Sequence, residues 1–89
     1  MLTAQAQGHF LLTMKYKYKI SIDTYARFLE FMKATEYING NVLLAGNDGG
    51  TDCCVNGKSM VGALYAMTFS DIWCLSDVDI YPYIKNFVI

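Results

Sequence analysis

Charge is what this sequence has least of. Its 89 residues include seven Lys or Arg and eight Asp or Glu, so charged side chains make up 17% of the chain and the formal net charge is -1. Such a balance supplies no basic field to draw a phosphate backbone, which argues against nucleic acid as a partner. Long hydrophobic runs are missing too: no stretch approaches the roughly 20 apolar residues of a membrane-spanning helix. Cysteine occurs three times, at Cys53, Cys54 and Cys74, an odd number without a CxxC spacing. That pattern builds neither a disulfide framework nor a zinc site, and no metal or cofactor is expected. The three read as small buried thiols of a reducing cytosol, so a cytoplasmic protein is expected. The only histidine, His9, lies in the leading segment and is given no role.

What is present is apolar. Hydrophobic residues reach 54% and aromatic residues 15%, with seven Tyr, five Phe and one Trp to fill the thin core that so short a chain can build. The length allows one domain. Residues 1–13 lack a basic n-region, and their only apolar run, Phe10-Leu11-Leu12, is too short for a secretory leader. They read as a mobile extension, which leaves residues 14–89 as the domain.

Periodicity divides that domain into seven elements. Residues 15–22 alternate, with Tyr16, Tyr18, Ile20 and Ile22 on one face and three lysines on the other, which predicts a half-buried strand. After Asp23-Thr24 the period changes to that of a helix running to about Thr35, with Tyr25, Phe28, Leu29 and Met32 as its apolar stripe. A short strand from Val42 to Ala45, a turn at Gly46-Asn47-Asp48-Gly49-Gly50 and a strand from Thr51 to Val55 predict a hairpin. The glycines lack the spacing of a phosphate loop. Ser59 is placed to cap a second helix whose apolar positions are Met60, Val61, Leu64 and Met67. The nearly continuous apolar run of residues 70–76 predicts a central, covered strand. Asp79, in preference to Asp77, is placed to cap a last helix that buries Ile80, Ile84, Phe87 and Val88 and holds Pro82 in its first turn. The order β-α-β-β-α-β-α predicts an α+β open-faced β-sandwich, a four-stranded antiparallel sheet with helices on one face; a ferredoxin-like arrangement is the competitor.

That order, with Val55-Asn56-Gly57-Lys58-Ser59-Met60-Val61-Gly62, resembles the HPr family, the histidine-containing phosphocarriers of the bacterial sugar phosphotransferase system. In that family a Val-x-x-Lys-Ser-apolar-apolar-Gly run ends a strand and opens the second helix. The family's other signature, His-Ala-Arg-Pro at the start of the first helix, corresponds here to Tyr25-Ala26-Arg27-Phe28. Tyrosine stands where the phosphorylated histidine would be. A phenol, with an ordinary pKa near 10, makes a phosphate ester that is a poor donor, so histidine-type phosphocarrier activity is not expected and Tyr25 reads as an amphipathic cap of the core. The chain is similar in this respect to the catabolite-repression HPr homologue.

Several expectations follow from the resemblance. No catalytic residue is expected, and the chain reads as a non-enzymatic regulatory or protein-binding module of the phosphotransferase or carbon-regulation system. Ser59 matches the serine that Gram-positive relatives have phosphorylated, although an N-cap serine is also an ordinary helix requirement. Met60, Val61 and Leu64 match an exposed docking patch, while helical periodicity alone also makes them core candidates. Arg27 matches an arginine that binds phosphate and acidic partner groups; pairing with Glu30 explains it equally well. The alternatives are a phosphocarrier with an unrecognised acceptor, and a scaffold that oligomerises with other copies through its apolar end, Phe87-Val88-Ile89.

Overall fold

A computed structural model describes residues 14–89; the leading extension and His9 lie outside the described residues. The elements are β1 (Tyr16–Ile20), α1 (Tyr25–Glu36), β2 (Val42–Asp48), β3 (Thr51–Asn56), α2 (Met60–Ala66), β4 (Ile72–Ser76) and the single turn α3 (Tyr81–Ile84). The four strands form one sheet in the order β1-β4-β2-β3. Every neighbouring pair is antiparallel, and the order places β4 between β1 and β2 instead of the β4-β1-β3-β2 order of a ferredoxin-like sheet, so the chain is an open-faced β-sandwich.

Strand alternation sorts the sheet into two faces. Ile20, Val42, Leu44, Cys53, Ile72 and Cys74 point into the core, where they meet Phe28 and Phe31 of α1, Ala63 and Ala66 of α2, and Ile80 and Ile84 around α3. Lys17, Lys19, Ala45, Cys54, Trp73 and Leu75 belong to the opposite face. β4 is central, between β1 and β2, as the apolar run predicts. The expectation that it is covered throughout needs correction, because Trp73 is 42% exposed on the face without helices.

The hairpin is longer and its turn tighter than the glycine cluster implies. β2 continues through Gly46 to Asp48, and the turn is the two residues Gly49 and Gly50, both with positive φ (59° and 93°). Two consecutive left-handed residues match the twist of a two-residue hairpin, and glycine adopts them without a Cβ penalty. Gly46 serves a different end inside the strand. A side chain there would collide with the Asp71 carbonyl oxygen and the Phe69 ring, so the position is kept bare to let the β4 approach pass.

Both long helices keep only part of the predicted face inside, Phe28 in the core with Met32 and Met67 packed against it. In α1 the buried residues are Phe28, Phe31 and Thr35, whereas Tyr25 and Leu29 are exposed. Thr35 tolerates burial because its Oγ1 donates to the Phe31 carbonyl at 3.0 Å. In α2 the buried residues are Ala63 and Ala66, while Met60, Val61 and Leu64 are exposed. The end of the chain follows prediction more closely. Ile80, Ile84 and Phe87 are buried and Pro82 lies in the first turn, but the N-cap is Ile80 and not the expected Asp79, whose carboxylate accepts the Tyr81 N–H at 3.1 Å from just before it. Beyond α3, Ser21 N donates to the Phe87 carbonyl and Ile89 N to the Lys19 carbonyl, which ties the end of the chain to the free side of β1.

Truncating an inward strand residue should cost far more than truncating an outward helix residue. Leu44→Ala is expected to lower stability by about 2–5 kcal/mol. Val61→Ala should stay within about 0.5 kcal/mol of the parent in urea unfolding.

Candidate functional site

The β3–α2 junction brings together four of the residues the sequence singles out. Asn56 ends β3, and its Oδ1 accepts the Lys58 N–H at 2.9 Å, folding the chain through Gly57 toward Ser59. Ser59 is the N-cap: its Oγ accepts the Gly62 N–H at 3.3 Å, and its carbonyl accepts the Ala63 N–H at 2.8 Å. The capping role expected of Ser59 is thus present. Packing at the junction is tight, since a Cβ on Gly62 would sit 2.6 Å from the Asn56 carbonyl oxygen. Lys58 does not turn toward Ser59. Its Nζ donates to the Ile38 carbonyl at 2.6 Å, spanning from α2 to the end of α1.

From this cap α2 runs with its large apolar side chains outward. Met60 is 56%, Val61 80% and Leu64 49% exposed, so a set of residues that could have filled a core faces solvent. Across from them α1 adds Leu29, which shares with Met60 a groove of about 560 Å³ also lined by Met32, Lys33 and Lys58. Leu29 was not recognisable as a surface residue from sequence, because the stripe that contains it reads equally well as core.

Arg27 does not line that groove. Its Nη1 donates to Glu30 Oε2 at 2.9 Å, its Nη2 to the Asn86 carbonyl at 2.6 Å, and its Cζ lies 4.4 Å from the centre of the Phe87 ring. The expected pairing with Glu30 is present. The contacts with residues 86 and 87, which no local pattern announces, make the guanidinium a tie between α1 and the end of the chain.

At the start of α1, Thr24 Oγ1 accepts the Arg27 N–H at 3.1 Å and so caps the helix. Tyr25 lies beside that cap and stacks on Phe28, ring centroids 5.8 Å apart. Where the resemblance puts a phosphorylated imidazole, an exposed phenol therefore rests on a core ring.

All three thiols are buried. Burial pushes the Cys54 thiol up, and it pushes Cys74, in the central strand, up to about 12. Neither is a thiolate at neutral pH, so neither is a nucleophile. Tyr65 is raised too, first by its 2.6 Å hydrogen bond to Asp48 Oδ2 and then by contact with Cys53 Sγ. This Tyr65–Asp48 bond fastens α2 to the tip of the hairpin. Among the described residues no cluster of three or more His, Cys, Asp or Glu is placed to hold a metal ion. No helix among them is long and apolar enough to cross a membrane.

Comparison of the chain with protein-family models, with curated proteins and with solved structures found no match.

Two outcomes follow from these contacts. Arg27→Ala should release residues 86–89 and raise amide exchange there several-fold, with little change at the hairpin, as read by hydrogen-exchange mass spectrometry. Cys74 gives a signed pH dependence: its folded pKa lies above the ordinary 9.0, so its stabilising contribution is whole below pH 9.0 and is lost as pH climbs toward about 12. In urea titrations Cys74→Ala should lose less stability over that interval than the parent chain.

Proposed function

We propose that the chain is a regulatory, protein-binding module of the HPr type, without histidine phosphocarrier activity, that docks partners of a phosphotransferase or carbon-regulation system in the cytoplasm. The observation that carries this reading is the outward set of Met60, Val61 and Leu64 on α2. A small domain gains by burying such residues, and an exposed group of three on one short helix is the signature of a surface held for a partner. Methionine suits a contact that must adapt to its partner. The Leu29–Met60 groove extends the same surface onto α1.

Tyr25 supports the non-carrier half of the proposal. It is exposed at a capped helix start, so the position is reachable, yet its phenol would hold a phosphoryl group too firmly for onward transfer. Ser59 is the candidate for regulation by phosphorylation. A phosphate on its oxygen would lie at the N-terminus of α2 beside Met60, adding about two negative charges to the rim of the docking surface.

Incubation with phosphoenolpyruvate and the first enzyme of the phosphotransferase system should leave the mass unchanged. An acid-labile gain of one phosphate would overturn the non-carrier assignment. Val61→Asp should abolish binding to carbon-regulation partners in calorimetry while circular dichroism stays unaltered; undiminished binding would remove α2 as the docking surface.

A further inference from the structure

The groove between α1 and α2 has a rim of mixed sign. Leu29, Met32, Lys33 and Glu36 are spaced i, i+3, i+4 and i+7 on α1, so they form one stripe along the helix, and all four line the groove with Met60. Lys33 and Glu36 are exposed, and neither enters the ion pairs among the described residues, Lys19–Asp71 and Arg27–Glu30. Lys58, the other cation at the rim, is already engaged by the Ile38 carbonyl. The α2 side carries no charge at all: its sequence is Met-Val-Gly-Ala-Leu-Tyr-Ala, and Val61, the most exposed of its outward residues, stands as a ridge beside the groove. Ridge and groove thus belong to one continuous surface.

We propose that this surface is a two-fold interface at which a second copy of the chain docks through the same residues. A closed two-fold contact needs a patch complementary to itself, because whatever the patch offers it must also receive. The α1–α2 surface meets that condition in shape, offering Val61 as a ridge and the space between Leu29 and Met60 as a groove. It meets it in charge as well. Lys33 and Glu36 lie one turn apart on α1, so a two-fold axis that crosses the helix between them and reverses its direction sets Lys33 of each copy against Glu36 of the other. A patch selecting a partner of one sign gains nothing from an opposite charge beside the first, whereas a self-complementary patch requires both. A few apolar side chains and two exposed ion pairs support a weak, reversible dimer. The inference goes beyond the regulatory reading and does not rest on it: self-association and partner docking compete for Val61, which makes the monomer the form that docks partners.

Sedimentation of the purified 89-residue chain, with no partner present, tests the interface. The weight-average mass should climb from monomer toward dimer as concentration rises to about 1 mM. Val61→Asp should hold it at the monomer with circular dichroism unaltered. Lys33→Glu and Glu36→Lys should each weaken the dimer several-fold, since either one sets like charges face to face, and the chain carrying both substitutions should recover. An equimolar mixture of the two single variants should associate more tightly than either alone, because every pair across the mixed interface is again of opposite sign. Both charged positions are exposed, so the fold should be indifferent to these exchanges. A chain still monomeric at about 1 mM would overturn the proposal. So would a dimer that survives Val61→Asp, or a mixture no tighter than its components. Each of those results leaves the calorimetry with carbon-regulation partners to judge the docking role of α2 by itself, so the two readings fail separately.

Discussion

The close approach of α2 to the β2–β3 hairpin sets the terms for the rest of the molecule. Gly57 lies against Val42, and Gly62 lies against the Asn56 carbonyl, so a methyl group at either position would have to displace its neighbour. A helix drawn this near to a sheet has room beneath it only for small side chains, and Ala63 and Ala66 occupy that room. The larger apolar residues of the same helix are thereby excluded from the core. Exposure of Met60, Val61 and Leu64 is thus a consequence of close packing, not a failure of burial. The Tyr65–Asp48 hydrogen bond holds the helix at this distance from one end and the Ser59 cap from the other.

The same constraint explains how much could be read in advance. Element order, the cap at Ser59, the place of Pro82 and the central position of β4 are all legible, because each rests on a local signal or on the period of the apolar residues. The inward faces of the two long helices are not. Periodicity weighs residues by hydrophobicity, so it selects Met60 over Ala63 and Leu29 over Thr35, whereas the packed structure selects by volume and by local hydrogen bonding. In α1 the rotation is about one residue, enough to carry Tyr25 and Leu29 to the surface and Phe31 inside.

Contacts between distant parts of the chain form the other illegible class. Arg27 meets residues 86 and 87, Lys58 meets Ile38, and Tyr65 meets Asp48. Each is a polar group whose partner is set by the tertiary fold, so its sequence neighbourhood carries no trace of it. The i,i+3 partner of Arg27, Glu30, is the visible part of an interaction whose larger part is remote.

The two faces of the sheet therefore divide their work. Helices bury one face and, because α2 sits so close, present apolar residues on their outer side. The opposite face carries lysines on edge strand β1 and apolar residues on the inner strands, with Trp73 paired in register to Ala45 and to Lys19. A large ring beside a small residue leaves a step in the surface, and lysine stems at one margin keep their charges in water while lining it with methylene groups. A partner that docks on α2 would meet a helix whose rigidity depends on its close packing against the sheet.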